Sequence, residues 1–174
     1  MRKLVALVLV LALFRPAFAE SETATLDNHT LQLSGTHGDF ILRLDGRVLF
    51  HDVGDDAVSI VGIYSSGPGG TVLSLSSGGS VSSETSSTGD ISNGFSAALL
   101  EEDTGSETCP VKYQAVILGA TTIVSKPFGA CAHAVQVTQD HGVLVVVTED
   151  ASGNHEEVDT ISATGVTAEI SATD

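Results

Sequence analysis

Apolar and polar positions alternate in short runs along most of this chain, and the alternation has the period of two that marks a half-buried strand. His29 to Leu33 (H-T-L-Q-L) is the first such run. Phe40 to His51 (F-I-L-R-L-D-G-R-V-L-F-H) is the clearest, because Asp45-Gly46 sits at its centre. That dipeptide tolerates the positive φ angles of a two-residue hairpin turn. Pairing Leu44 with Arg47 then sets Leu42 opposite Leu49 and Ile41 opposite Phe50. Ala57 to Tyr64 is a further strand whose alternation slips at Ile60-Val61, the mark of a bulge or of burial on both faces. Ser65 to Gly70 is turn material, and Thr71 to Leu75 reads as a strand again.

Residues 76–94 hold 14 Ser, Thr or Gly in 19, which predicts an exposed loop with one edge strand near Val81. Phe95 to Leu100 fits a strand or a short helical turn equally well, and Glu101 to Glu107 reads as acidic loop. Three hairpins follow. Val111–Leu118 pairs with Thr122–Lys126 around Gly119-Ala120, and His133–Thr138 pairs with Val143–Thr148 around Asp140-His141-Gly142. Val158–Ala163 pairs with Val166–Ile170 around Thr164-Gly165. About ten short strands with no long helix predict an all-β domain, an antiparallel β-sandwich or barrel.

The N-terminus follows a different pattern. Arg2 and Lys3 precede an unbroken apolar run from Leu4 to Phe14, and Ala17-Phe18-Ala19 then presents small residues at the positions a signal peptidase reads. A helix of eleven residues spans only about 16 Å, about half of a bilayer's hydrocarbon core. Residues 1–19 are therefore expected to be a secretory signal peptide cut after Ala19, and residues 20–174 a single exported β domain, in the periplasm or secreted, with no membrane insertion after cleavage.

Cys109 and Cys131 sharpen both expectations. Two cysteines in an exported chain predict a disulfide. Their midpoint is residue 120, the centre of the hairpin expected around Gly119-Ala120, so they fall opposite each other. The bridge closes a loop of 23 residues. Neither cysteine belongs to a C-x-x-C motif of the kind that activates a thiolate.

Charge narrows the classes of function. The formal net charge is −15, and beyond residue 19 the chain carries four basic residues (Arg43, Arg47, Lys112, Lys126) against 22 acidic ones, a net −18. Binding to nucleic acid relies on Lys and Arg that displace counterions from phosphate, so this surface opposes it, and it opposes anionic lipid equally. It would instead steer in cationic partners or divalent ions.

Candidate chemistry is sparse. His29, His37, His51, His133, His141 and His155 show no H-x-H or H-E-x-x-H spacing, and which of them would bind zinc or copper is not legible. The acidic groups cluster at Asp52, Asp55 and Asp56, at Glu101, Glu102, Asp103 and Glu107, and at Glu149, Asp150, Glu156, Glu157 and Asp159. The segments Glu102–Glu107 and Glu149–Asn154 echo each other, but neither fits the D-x-[DN]-x-[DN]-G calcium loop, and a solvated loop is the expected reading of both. There is no G-x-S-x-G elbow, since Gly89 to Gly94 has the wrong spacing, and aromatic platforms for a sugar are few. Asn28-His29-Thr30 matches the glycosylation sequon, a pattern short enough to arise by chance.

The expectation is thus a non-enzymatic acidic binding module without a cofactor, whose partner would be a cationic protein. Its contact regions would be the loops Ser65–Gly70, Ser76–Gly94 and Glu101–Glu107. A structural component of the cell-envelope surface and a periplasmic metal-binding protein are the alternatives.

Overall fold

The computed structural model describes residues 20–65, 82–84, 94–131, 135–140, 142–150 and 155–172. The expected signal segment, the strand Thr71–Leu75 and most of the Ser/Thr/Gly-rich loop lie outside these residues. Thirteen strands and no helix make up the described chain: β1 (Glu20–Leu26), β2 (His29–Thr36), β3 (Asp39–Leu44), β4 (Arg47–Val53), β5 (Ala57–Ser65), β6 (Ser82–Glu84), β7 (Ser96–Asp103), β8 (Val111–Leu118), β9 (Thr122–Val124), β10 (Val135–Asp140), β11 (Val143–Glu149), β12 (His155–Ser162) and β13 (Gly165–Ala172).

The strands form three sheets, ordered β1-β2-β3-β4, β5-β7-β8-β9 and β13-β12-β11-β10-β6. Every pairing is antiparallel except the short one between β6 and β10. Two separate hydrophobic cores show how the sheets stack. Leu31, Leu33, Phe40 and Leu42 of the first sheet meet Val58, Ile60, Ala98, Leu100 and Val116 of the second. Leu99, Tyr113, Ala115 and Ile117, from the opposite face of that second sheet, meet Val137, Leu144, Val146 and Ile161 of the third. The sandwich therefore has three layers, and the middle sheet is covered on both sides.

Double coverage explains the one stretch the pattern left undecided. The run S-A-A-L-L in β7 is buried at five consecutive positions. A strand with two covered faces has no polar face to alternate with, so its period of two disappears from the sequence.

Both readings of the slip in β5 are correct. Ile60 pairs with Leu100 and Gly62 with Leu99, leaving Val61 as the extra residue of a bulge. The bulge reverses which parity faces which layer. Val58 and Ile60 point to the first core; after the bulge, Ile63 points there and Tyr64 to the second. Gly62 lets the Tyr64 ring lie over the backbone, since a Cβ at this position would meet the ring's Cε2 at 2.6 Å.

Other expectations need correction. β1 precedes the run read as the first strand and pairs with β2 through an Asp27-Asn28 turn whose φ angles are 48° and 65°. Its alternation is Glu22, Ala24, Leu26, and only one of these is a large apolar residue, so the signal is faint. The hairpin of β3 and β4 turns at Asp45 and Gly46 (φ 49° and 80°) and pairs Leu44 with Arg47 as expected. One step later the register shifts, so that Leu42 opposes Phe50 and Ile41 opposes His51. Leu49 is the inserted residue, and the shift lets Leu49 and Phe50 both pack against the first core. In the last hairpin Ser162 pairs with Gly165, so the turn is Ala163-Thr164, one residue earlier than expected.

Candidate functional site

The disulfide forms between Cys109 and Cys131, with an S–S distance of 2.03 Å and a Cα–Cα distance of 4.6 Å. The hairpin centred on residue 120 carries it. Leu118 pairs with Thr122 and Val116 with Val124, and Tyr113 bridges Phe128 further out. Beyond that bridge the two cysteines close the open end of the hairpin. Among the described residues no cysteine is free. A formed disulfide fits an oxidising, extracytoplasmic environment.

The described histidines are each committed to an aspartate on the rim or outer side of the first sheet. His29 Nδ1 lies 2.6 Å from Asp45 Oδ2, His51 Nε2 lies 2.6 Å from Asp39 Oδ1, and His37 Nε2 lies 3.5 Å from Asp56 Oδ1. Asp45 also accepts a hydrogen bond from the Thr30 N–H at 2.8 Å. The His29 contact and this backbone bond hold the Asp45 carboxyl below its ordinary range. No two of these pairs share a centre. Among the described residues no group of three or more His, Cys, Asp or Glu is placed to hold a metal ion. The side chains of His133, His141 and His155 lie outside the described residues.

The acidic clusters divide differently from the sequence expectation. Glu101, Glu102 and Asp103 belong to β7, and the loop begins only at Thr104. Glu102 is 3% exposed at the rim of the first core, opposite Val58 and Lys112. Burial, and then the nearby charges of Asp55 and Asp52, push its carboxyl up to about 7, with Lys112 pulling the other way. Asp55 is raised as well, first by burial and then by the adjoining Asp52 carboxyl. Asp52 Oδ2 is buried without a hydrogen-bond partner.

The second buried acid is Asp159 on β12. Its neighbours in register are Val146 and Ala168, and it shares its parity with the core residue Ile161. It is fully buried, and neither carboxyl oxygen has a partner. Burial, and then the charge of Glu157, push it up to about 7. Close by, the Gly129 N–H donates to Glu157 Oε1 at 3.3 Å, the Ala130 N–H donates to Thr148 Oγ1 at 2.8 Å, and Tyr113 Oη donates to Glu101 Oε2 at 3.3 Å. Sequence reasoning placed Glu102 on a solvated loop, and Asp159 on the strand Val158–Ala163 with no face assigned to its side chain. The signal that finds them is parity, because Leu100 and Glu102 share one face of β7, and Asp159 and Ile161 one face of β12.

Tyr64, Phe95, Gln139, Val143 and Leu144 line a shallow surface depression. The Tyr64 hydroxyl is buried without a partner, and burial pushes its pKa up to about 12. Of the expected contact loops, Thr104–Glu107 is described; Ser65, Ser82–Glu84 and Gly94 are the described parts of the other two.

Fold and site together define a three-layer, disulfide-stapled all-β protein with two buried carboxyls, Glu102 and Asp159. Comparison with protein-family models, with curated proteins and with solved structures finds no match for this chain.

Proposed function

We propose that the protein is an exported, non-enzymatic binding module that captures a cationic protein outside the cytoplasm, in the periplasm or beyond it. The observation that carries this reading is the charge: net −18 beyond residue 19, on a chain whose described strands form a three-layer, disulfide-stapled scaffold. A strongly negative, rigid surface raises the association rate with basic proteins and repels acidic ones. It also loses little entropy on binding, because the strands are ordered beforehand.

The test titrates the disulfide-bonded chain with a strongly basic globular protein and with an acidic one of similar size, at low and at high salt. Binding of the basic protein alone, weakening as salt screens the surface, is expected. Affinity that is indifferent to salt, or no binding of basic proteins at low salt, would overturn the proposal.

A further inference from the structure

The third sheet has two unlike faces. Val135, Val137, Leu144, Val146 and Ile161 point into the core. The alternate positions form cross-strand rows on the outer face: Gln136–Val147–Val158–Glu169, then Thr138–Val145–Thr160–Thr167. Glu149 opposes Glu156 at one end of these rows, and Asp140 opposes Val143 at the other. Valines therefore occupy the middle strands, where Val143, Val145, Val147 and Val158 are half-buried, while Glu149, Glu169 and Asp140 at the periphery are exposed. The chain has no Lys or Arg between residues 127 and 174, so this face has no lysine or arginine of its own.

The outer face of the first sheet differs. Arg43 pairs there with Val48 and donates to Ser34 Oγ at 3.1 Å, and His51 pairs with Asp39. There an acid is answered by a basic neighbour on the same face.

An apolar centre ringed by charge of one sign is the anatomy of a protein-binding surface. The geometry points to the outer face of β10–β13 as the docking surface for an amphipathic, Lys/Arg-flanked segment of a cationic protein. The segment's apolar side chains cover Val145, Val147 and Val158, and its cations sit over Glu149, Glu156 and Glu169. This inference rests on the cationic-partner reading and moves the contact from the loops to a sheet face. A second copy of the chain is the poorer occupant, because self-pairing would bring acidic rims together.

The experiment follows the backbone amides of the intact disulfide-bonded chain by NMR during titration with a synthetic Leu/Lys amphipathic peptide, and separately with poly-lysine. Shifts concentrated on 143–147 and 156–160, with the amphipathic peptide binding the tighter of the two, are expected. Val147→Lys should weaken it by about tenfold or more, equivalent to about 1.4 kcal/mol. Val147→Thr keeps the branched shape of the side chain and guards against loss of folding, and it should weaken binding less. Glu107→Lys on the loop should leave the affinity within about twofold, as a rim-distant charge does.

Shifts confined to Thr104–Pro110, with affinity lost in Glu107→Lys, would overturn the sheet-face inference and leave the cationic-partner reading intact. Poly-lysine binding as tightly as the peptide would remove the role of the valines. Dimers abolished by Val147→Lys would assign the face to a second copy. Failure of both peptides to bind at low salt would count against the cationic-partner reading itself.

Discussion

Replacing Asp159 by asparagine removes a fully buried carboxyl from between the central sheet and the third sheet. Both of its oxygens are unpartnered. Burial and the Glu157 charge raise its pKa from the ordinary 3.8 to about 7. A folded-state value above the unfolded one means that the folded protein holds the proton more tightly. Well below the unfolded value the group is protonated in both states and its ionisation costs nothing. As pH rises between the two values, the unfolded chain ionises first, and stability falls by about 1.4 kcal/mol per pH unit. Above the folded value the loss levels off at about 4 kcal/mol.

The variant's amide cannot ionise, so it escapes this slope. Its own unpartnered polar atoms add an offset that does not vary with pH. Urea unfolding of the oxidised protein, from about pH 4 to about pH 8, should therefore show Asp159→Asn gaining on the wild type steadily with pH, by about 4 kcal/mol over the range. Two curves that stay parallel would refute the assignment of a buried, proton-holding carboxyl. Glu102 adds a slope of the same sign in both proteins, so it cancels in the difference.

Loss of the disulfide in the double variant Cys109→Ala/Cys131→Ala should cost about 3 kcal/mol, from the chain entropy of the released loop, measured by denaturant midpoint. Leu100→Ala, which empties a fully buried position on the central sheet, should cost about 2–5 kcal/mol by the same assay, and Ile123→Ala on the partly buried strand β9 should cost less. His29→Gln should return the Asp45 carboxyl toward its ordinary pKa, read as an upward shift in its NMR titration, because His29 is the first of the two contacts that hold it low.

Parity explains which features of the fold and of the candidate site were legible. Where one face of a strand meets solvent, alternation is visible in the residues, as in His29 to Leu33 or Val135 to Thr138. The turns around them were legible for an equally local reason, since Asp45 and Gly46 adopt positive φ angles that few residues tolerate. The disulfide was legible because both cysteines count outward from one turn. Glu102 was misread because an acidic residue beside other acids looks solvated; Asp159 was placed on a strand but given no face, and only the parity of Leu100 and Ile161 shows the two turning inward.

By itself, then, the chain determined most of its strands and tight turns, its cross-link and its excess of negative charge, all properties of residues near one another in sequence. Only the tertiary structure decided that there are three layers, that β7 is buried on both faces, and that Leu49 is bulged. It likewise decided that two carboxyls are shut into the cores and that valines and acids share the outer face of the third sheet. The reason is that burial depends on which sheet lies above a strand, and that is set by residues far away along the chain.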